Sequence, residues 1–298
     1  MAAVESRVAV VTGASSGIGK EVAKALAQQG WRVIGTGRNP ERIAAAEAQI
    51  RAASVTGEVD IMPADLSLMA SAEDTARRIA RLTDRIHLLV NNAGGMASEK
   101  IMTSEGLEAN FAGNHLGPFL LTRLLLPLLR AAAAASPPGS VRILNTTSDA
   151  SEMIPAINLD DMQNLDRFSP GLAYCTGKLA NVLFTRALAL RLESEGIVVH
   201  AVHPGAVASN FFSYAPADTQ ARVRDLEKAS EAEGADTLIW LATDEAAVRS
   251  TGGYWHRRAP RTPNPVVNDQ DVVDRFWRES EALVERAQSA PPGTNGPR

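Results

Sequence analysis

The chain has 298 residues, of which 45% are hydrophobic and 21% charged, as in an average globular protein. Its 30 basic and 34 acidic side chains leave a net charge of −4, which excludes the basic surface that nucleic acids or anionic membranes require. The single cysteine, Cys175, excludes an internal disulfide and a cysteine-based zinc site. The five histidines show no metal-ligand spacing, so no metal is expected. Length alone allows one domain or two.

The first residues do not resemble an export signal, because Glu5 and Arg7 stand directly before the first apolar run. No stretch reaches the roughly 18 uninterrupted apolar residues of a membrane span. The most apolar region, residues 116–135, contains Arg123, Pro127 and Arg130, which favours a buried helix. We therefore expect a cytoplasmic protein without a membrane span.

Short apolar runs alternate with helical patterns along the chain. The apolar runs predict strands at residues 7–12, 31–36, 58–62, 87–90, 140–145 and 197–202. The segments between them predict helices at residues 18–29, 40–53, 71–83, 105–135 and 172–195. This alternation, with strands that are apolar throughout, predicts an α/β fold with a parallel sheet covered on both faces. The last residues, 289–298, are rich in Pro and Gly and predict a disordered tail.

Glycines cluster directly after the first predicted strand, in residues 12–20 (TGASSGIGK). Glycine permits a tight turn and lets backbone N–H groups approach a pyrophosphate, while the following helix adds partial positive charge. Glycines also occur in ordinary turns, but this position between strand and helix predicts a dinucleotide-binding loop. The predicted contacts are Gly13, Ser15, Ser16, Gly17, Ile18 and Gly19.

The end of the second predicted strand bears on the choice of cofactor. An NAD site usually places an acid about 20 residues beyond the glycines, where it binds the ribose 2′-hydroxyl. Here residues 35–39 (GTGRN) contain no acid and offer Arg38 for a 2′-phosphate, with Lys20 nearby. NADP(H) is therefore favoured over NAD(H), the alternative being that Arg38 is a solvated loop residue.

Three motifs in this order resemble the short-chain dehydrogenase/reductase family: the glycine loop, residues 91–94 (NNAG) and residues 174–178 (YCTGK). Residues 114–122 (NHLGPFLLT) and 203–207 (HPGAV) resemble its retinol dehydrogenase-like branch. The resemblance implies a Rossmann-type doubly wound sheet of about seven strands. It also implies a single domain, residues 1–288, with a substrate lid at about 208–230. Members commonly form dimers or tetramers, so a homodimer or homotetramer is expected, although no interface signature is visible.

The resemblance implies roles for individual residues. The catalytic residues would be Asn114, Ser148, Tyr174 and Lys178, with Thr147 as the alternative to Ser148. Besides the glycine loop, Arg38, Tyr174 and Lys178, the cofactor-binding residues would be Asp65, Leu66, Asn91, Ala93, Gly94, Pro204, Gly205, Val207 and Ser209. Thr176 and Gly177 depart from the more common residues before the lysine, and an insertion around residues 157–166 lengthens the interval between Ser148 and Tyr174.

The implied chemistry suits these residue types. Tyr174 and Lys178 stand four apart on a predicted helix, so they share one face. A free tyrosine has a pKa near 10, and a neighbouring ammonium would favour its phenolate. In the reductive direction Tyr174 would protonate a carbonyl oxygen held by Ser148, while NADPH delivers hydride to the carbon. Lys178 would also bind the nicotinamide ribose, and Asn114 would hold a water that relays protons.

Candidate substrate residues are apolar: Met96, Met153, Ile154, Phe211 and Phe212, with Tyr214 close by. They predict a lipophilic ketone or aldehyde, unless the aromatic ones only pack the small helix of that segment. The predicted function is therefore NADP(H)-dependent interconversion of a carbonyl and an alcohol on a small molecule. Two alternatives stay open: reduction of a C=C bond by a similar fold, and a catalytically silent NADP(H)-binding sensor.

Other reactive residue types receive structural interpretations. His115 and His203 are expected to pack, and Cys175 is expected to be a small buried residue and not a redox thiol. The basic cluster of residues 256–258 (HRR) with Arg261 is expected to be a solvated loop, the alternative being a site for an anionic substrate group.

Overall fold

One sheet organises the molecule, with strand order β3-β2-β1-β4-β5-β6-β7-β8. The computed structural model describes residues 7–208, 215–224, 228–248 and 250–289. Within these residues seven strands are parallel, and β8 pairs antiparallel with β7. The strands are β1 (Val8–Val11), β2 (Arg32–Gly37), β3 (Val59–Pro63), β4 (Leu88–Asn91), β5 (Val141–Thr146), β6 (Ile197–Val202), β7 (Gly253–His256) and β8 (Ala259–Pro260).

Helices cover both faces of the sheet. They are α1 (Gly17–Gln28), α2 (Pro40–Ala53), α3 (Met69–Leu82), α4 (Ala109–Phe111), α5 (Gly117–Ala134), α6 (Pro170–Leu192), α7 (Ala217–Arg224), α8 (Glu231–Thr243) and α9 (Gln270–Ser289). One hydrophobic core joins the sheet to α1, α2 and α8, and a second joins its other face to α3, α5, α6 and α9. The predicted doubly wound α/β fold is therefore confirmed.

The predicted strands lie within one residue of the observed ones, because doubly covered strands are apolar throughout. The predicted count of about seven omits β8, which is only two residues long. The helix predicted over residues 105–135 is confirmed over Ala109–Ala134, except that a π-helical turn interrupts it. The chain forms α4, then a π-helical turn at Ala112–Leu116, and then α5. The sequence patterns give no bounds for α8 and α9.

One helical segment of the described chain, Ala109–Ala134, is long and apolar enough to cross a membrane. In this fold 56% of its apolar window is buried against the rest of the protein. Core helices pass the same test of length and composition, so the segment is weak evidence for a membrane span.

The sheet order brings the carboxyl ends of β1, β4, β5 and β6 to one edge. The chain winds outward from β1 to β2 and β3, and then returns to place β4 on the other side of β1. Open α/β sheets bind ligands at such a reversal, beyond the carboxyl ends of the strands. The residues that follow these four strands therefore define the candidate site.

Candidate active site

The glycine loop after β1 is held in a shape that only glycine tolerates well. Gly13 and Gly17 have φ angles of 72° and 59°, in the left-handed region. A side chain on Gly19 would collide with the backbone oxygen of Gly13 and lie 2.5 Å from Nδ2 of Asn92. The backbone of the loop therefore occupies the space that side chains at these positions would need, as in a phosphate-binding turn.

The helix that follows the loop has a free amino-terminal end. The side chain of Ser16, the N-cap residue of α1, makes no capping hydrogen bond, and the first turn contains no acid. Ser15 packs on Gly37 at the end of β2, where a methyl group would lie 2.6 Å from the Ser15 Cβ. Arg38 is exposed and forms no ion pair with a described residue. Open amides, hydroxyls and a free guanidinium fit the phosphates of a dinucleotide.

Asp65 and Leu66 follow β3 on the same edge of the sheet. Oδ1 of Asp65 accepts the amide of Ser67 at 3.0 Å and its hydroxyl at 2.7 Å. Leu66 is buried, and its carbonyl oxygen packs so closely on Gly117 that a side chain there would overlap it. The predicted adenine-side residues are thus fixed to the start of α5.

The segment after β4 is tied to the glycine loop by hydrogen bonds. Thr12 Oγ1 accepts the amides of Asn92 and Ala93, both at 2.9 Å, and Asn92 Nδ2 donates to the Thr12 carbonyl at 3.1 Å. Asn91 points into the core, where its Nδ2 donates to Thr122 and Asn145, both at 2.9 Å. Asn91 therefore supports the sheet, while Ala93 lines the reversal point.

The π-helical turn places Asn114 beside α6. Its Nδ2 donates to the carbonyl of Asn110 at 2.8 Å, so the side chain takes the carbonyl that an α-helical amide would otherwise use. The same group donates to the Gly95 carbonyl at 2.9 Å, and the Gly95 amide returns a bond at 3.2 Å. Gly177 lies against Asn114, since a methyl group added to Gly177 would lie only 3.2 Å from the Asn114 Cβ. This close approach explains a small residue before Lys178.

Ser148 and Tyr174 are brought together from β5 and α6. The hydroxyl of Tyr174 forms a hydrogen bond with Ser148. Burial raises the pKa of Tyr174, the Ser148 bond lowers it, and the charge of Asp149 raises it again. Thr147, the alternative serine-position residue, is buried and donates to the Lys178 carbonyl at 2.7 Å instead. The geometry therefore favours Ser148.

Lys178 lies one turn after Tyr174 and is buried. Its ammonium nitrogen is 5.6 Å from the centre of the Tyr174 ring. It also faces Gly94, where an added methyl group would lie 3.3 Å from Lys178 Nζ and 2.6 Å from Asn114 Oδ1. Burial lowers the pKa of Lys178 to about 8. The lowering of the Tyr174 pKa that the sequence predicts is not seen in this structure, because the effect of burial is larger.

Residues 203–207 follow β6 and close the site on its other side. Gly205 has a φ of 88°, and its amide donates to His203 Nδ1 at 3.4 Å. Val207 is buried and forms an isolated bridge with Ala229. Burial lowers the pKa of His203 to about 4, and its ring stacks on that of His256 with centres 4.5 Å apart. His203 is thus a neutral packing group, as predicted.

Known proteins match the whole described fold. The short chain dehydrogenase family model matches residues 7–220. Human retinol dehydrogenase 13 is 33% identical over 291 residues, which span 95% of this chain and 86% of that protein. Human retinol dehydrogenase 12 is 36% identical over 279 residues, which span 93% and 86%. The chain belongs to the short-chain dehydrogenase/reductase family.

Within this family the chain is retinol dehydrogenase-like, which confirms the resemblance seen in its motifs. A solved structure described as the Pseudomonas aeruginosa RhlG/NADP active-site complex aligns with a TM-score of 0.67 and 29% identity. The alignment covers 89% of this chain and 97% of that one. The family and these neighbours support an oxidoreductase of carbonyls and alcohols that uses a nicotinamide cofactor.

Of the predicted substrate residues, the structure of this short-chain dehydrogenase describes Met96, Met153 and Ile154. Met96 is buried, Ile154 is half-buried against the core, and Met153 is 69% exposed. Ser209, Phe211, Phe212 and Tyr214 lie outside the described residues, as do residues 290–298 of the predicted tail. Of the predicted lid, the structure describes α7 and the segment leading into α8.

Two arginines of the basic cluster around residues 256–261 are paired with acids from other elements. Arg258 forms an ion pair with Asp236 of α8. Arg261 forms a two-point ion pair with Glu152, at 2.7 and 2.8 Å. These pairs leave neither arginine available as a free anion site, which favours the structural interpretation.

Sequence reasoning missed several residues that hold the site together. Thr12 lies in the glycine-loop motif and Asn92 in residues 91–94, so the sequence motifs could have indicated that both residues belong to the site. Asn110 and Asp149 lie next to predicted catalytic residues on the folded chain but belong to no motif. Nothing in the local sequence could have shown that their side chains or carbonyls face the site.

Proposed function

We propose that this chain is an NADP(H)-dependent oxidoreductase that interconverts a carbonyl and an alcohol on a lipophilic small molecule, with Tyr174 as the general acid and base. The observation that carries the proposal is the hydrogen bond between Tyr174 and Ser148, with the buried ammonium of Lys178 one turn away. Ser148 follows β5, whereas Tyr174 and Lys178 lie on α6, and the three side chains meet at the carboxyl edge of the sheet. Such an arrangement can hold a carbonyl oxygen and pass it a proton.

Each residue has a defined task in this proposal. Ser148 donates a hydrogen bond to the substrate oxygen, which stabilises the negative charge that develops there. Tyr174 is protonated at neutral pH, because burial raises its pKa, so it is ready to protonate that oxygen in the reductive direction. Lys178 keeps a positive charge behind Tyr174 below about pH 8. Asn114 holds the loop at Gly95 through both of its amide atoms and thereby fixes the space beside Lys178.

The bound nicotinamide would donate or accept the hydride at the substrate carbon. The choice of NADP(H) over NAD(H) is supported by the free guanidinium of Arg38 beside the Ser15 loop. The NADP complex of the similar RhlG structure supports it as well. A lipophilic substrate is supported by the names of the retinol dehydrogenase relatives. A cytoplasmic location and a homodimeric or homotetrameric state stay predictions from the sequence.

The test is NADPH oxidation with a panel of lipophilic ketones and aldehydes. Wild-type protein should form the alcohol, and Tyr174→Phe should lower kcat/KM by roughly 10²- to 10⁴-fold, as loss of a general acid does. NADPH affinity, measured by fluorescence titration, should change little. Tyr254→Phe is the matched control, because it also removes a buried phenol hydroxyl, one that donates to Glu152 at 2.9 Å.

Product analysis separates the alternatives. A saturated carbonyl product would replace the proposal by C=C reduction. NADPH binding without turnover of any carbonyl would replace it by the sensor function.

A further inference from the structure

The hydroxyl of Ser148 forms hydrogen bonds with the two residues that follow it in the chain. A serine hydroxyl donates once and accepts twice. Its oxygen accepts the amide of Ala150 at 3.1 Å. It donates to Oδ1 of Asp149 at 2.9 Å. Because a carboxylate only accepts, the single proton of Ser148 is directed at Asp149 and not at a substrate.

Asp149 carries a charge that no described neighbour neutralises. It is exposed, and it forms no ion pair with a described residue. Arg261 is close enough to act on that charge, but its guanidinium is already paired with Glu152. His203 acts on it too, but its lowered pKa of about 4 leaves the ring neutral at pH 7. The wall beside Ser148 and Tyr174 is therefore negative.

Substrate binding must break the contact between Ser148 and Asp149. A carbonyl oxygen can accept the Ser148 proton only if Asp149 releases it, and the released carboxylate then needs another donor. The carbonyl oxygen of the substrate and the Asp149 carboxylate would both lie beside the Ser148 hydroxyl. A hydroxyl or ammonium group on the carbon next to the carbonyl would therefore be close to Asp149. A carboxylate at that carbon would face the like charge of Asp149, which disfavours it.

We propose that Asp149 determines substrate specificity by selecting carbonyl compounds with a hydrogen-bond donor on the adjacent carbon, namely hydroxy ketones and amino ketones, and by rejecting keto acids. This inference rests on the proposed function, because it takes Ser148 as the group that holds the carbonyl oxygen. Asp149 acts here on the bound substrate and on the serine proton, and it transfers no hydride or proton itself.

The test uses four phenyl ketones that differ only in the group on the carbon next to the carbonyl, which is methyl, hydroxyl, ammonium or carboxylate. The respective compounds are propiophenone, α-hydroxyacetophenone, α-aminoacetophenone as its ammonium salt, and benzoylacetate. Values of kcat/KM are compared between variants for each ketone, so that differences in intrinsic carbonyl reactivity cancel.

Two substitutions separate charge from hydrogen bonding. Asp149→Asn keeps an acceptor of the same shape without the charge, and Asp149→Leu removes both. Asp84→Asn is the matched control, because Asp84 is an exposed acid just before β4, at the opposite edge of the sheet. Asp149→Asn should shift the ammonium-to-carboxylate ratio of kcat/KM by about tenfold or more toward the carboxylate. Asp149→Leu should in addition lose the preference for the hydroxy ketone over propiophenone.

An ammonium-to-carboxylate ratio in Asp149→Asn within twofold of the wild-type and Asp84→Asn ratios would overturn the role of Asp149. Tyr174→Phe distinguishes this failure from failure of the proposed function. If Tyr174→Phe abolishes turnover while the Asp149 variants leave the ratio unchanged, only the specificity proposal falls. If Tyr174→Phe retains wild-type turnover, both proposals fall. If wild-type protein reduces other ketones or aldehydes but none of these four, only the specificity proposal falls.

Discussion

The two halves of the sheet are stabilised in different ways. In the cofactor half, β1–β3 with α1 and α2, close packing depends on glycines, since side chains at Gly35 and Gly37 would overlap Ala14 and Ser15. In the catalytic half, β4–β6 with α5, α6 and α9, buried polar side chains connect the elements. Among the described residues, the buried polar side chains before position 90 are Thr12, Thr36 and Thr75. The remaining buried polar side chains lie at or after Asn91.

The catalytic half contains a continuous polar network inside its core. Asn91 bonds to Asn145, which donates to Thr185 of α6 at 2.9 Å. Asn181, also of α6, donates to the Thr146 carbonyl at 3.1 Å. Buried polar groups are costly unless they are paired, so this network specifies one position for α6. The cofactor half thus accommodates a ligand by leaving out side chains, and the catalytic half positions Tyr174 and Lys178 by bonding to their helix.

The largest expected effect is that of replacing Lys178, which should change activity and stability in opposite directions. Lys178→Met should lower kcat/KM by about 10³-fold, because the charge beside Tyr174 is lost. The fold should gain stability at pH 7, by up to roughly 3 kcal/mol, because a buried ammonium is replaced by an apolar group. Lys24→Met, on α1, is the control. Denaturant unfolding and NADPH kinetics measure both effects.

The stability advantage of Lys178→Met over the wild type should decrease as the pH rises. Burial lowers the pKa of Lys178 from 10.5 to about 8. Between these values the unfolded chain binds a proton that the folded protein has released, so wild-type stability from this group rises with pH. The advantage of Lys178→Met should therefore shrink from pH 8 upward and be lost above 10.5. An advantage that stays constant from pH 7 to 10.5 would contradict burial of the charged form.

In the cofactor half, Gly19→Ala should damage both the fold and cofactor binding. The new methyl group would meet the Gly13 carbonyl and Asn92, so the loop must shift. We expect a loss of about 2–4 kcal/mol in unfolding free energy, typical of backbone strain, together with weaker NADPH binding. Gly171→Ala is the matched control, since nothing lies within 4 Å of its added methyl group. Wild-type melting and affinity in Gly19→Ala would show that the loop is not tightly packed.

Arg38→Ala should act on one cofactor only. The KM for NADPH should rise about 10- to 100-fold, as expected for a lost charge-assisted hydrogen bond, while kinetics with NADH stay unchanged. Arg81→Ala, an exposed arginine near the end of α3, serves as the control. Equal losses with both cofactors, or tighter binding of NADH than NADPH by the wild type, would contradict the assignment of a 2′-phosphate to Arg38.

The smallest effect concerns the contact between α9 and the π-helical turn. His115 is fully buried, its Nε2 lies 2.9 Å from Ser280 Oγ, and its pKa is lowered to about 3 by burial. Because the Ser280 hydroxyl donates to the Phe276 carbonyl at 2.9 Å, the imidazole must donate to Ser280. Ser280→Ala would leave that N–H without a partner and should cost about 1–3 kcal/mol.

The same substitution should lower kcat a few-fold, because Asn114 lies next to His115 in the turn, while NADPH affinity stays at the wild-type value. Ser289→Ala is a matched control on the same helix, since its exposed hydroxyl also donates to a carbonyl four residues earlier. A larger effect on NADPH affinity than on kcat would mean that the two halves are not independent.

Local patterns were sufficient for much of this protein. Six of the eight strands were predicted to within one residue, because a doubly covered sheet needs apolar runs. The glycine loop was predictable because its backbone shape requires glycine. The π-helical turn was not predictable, since it depends on Asn114 meeting Gly95 across the fold. The contact of His115 with Ser280 of α9 was equally hidden.

The sequence by itself determined the family, the α/β architecture and the identity of the residues that meet at the sheet edge. These features rest on local spacing, namely apolar runs, glycines between strand and helix, and Tyr174 one helical turn before Lys178. Tertiary structure decided which hydroxyl faces Tyr174, which acceptor the Ser148 hydroxyl meets, and that Arg258 and Arg261 are paired with acids. Those outcomes depend on contacts between side chains far apart in the chain, and local spacing carries no information about them.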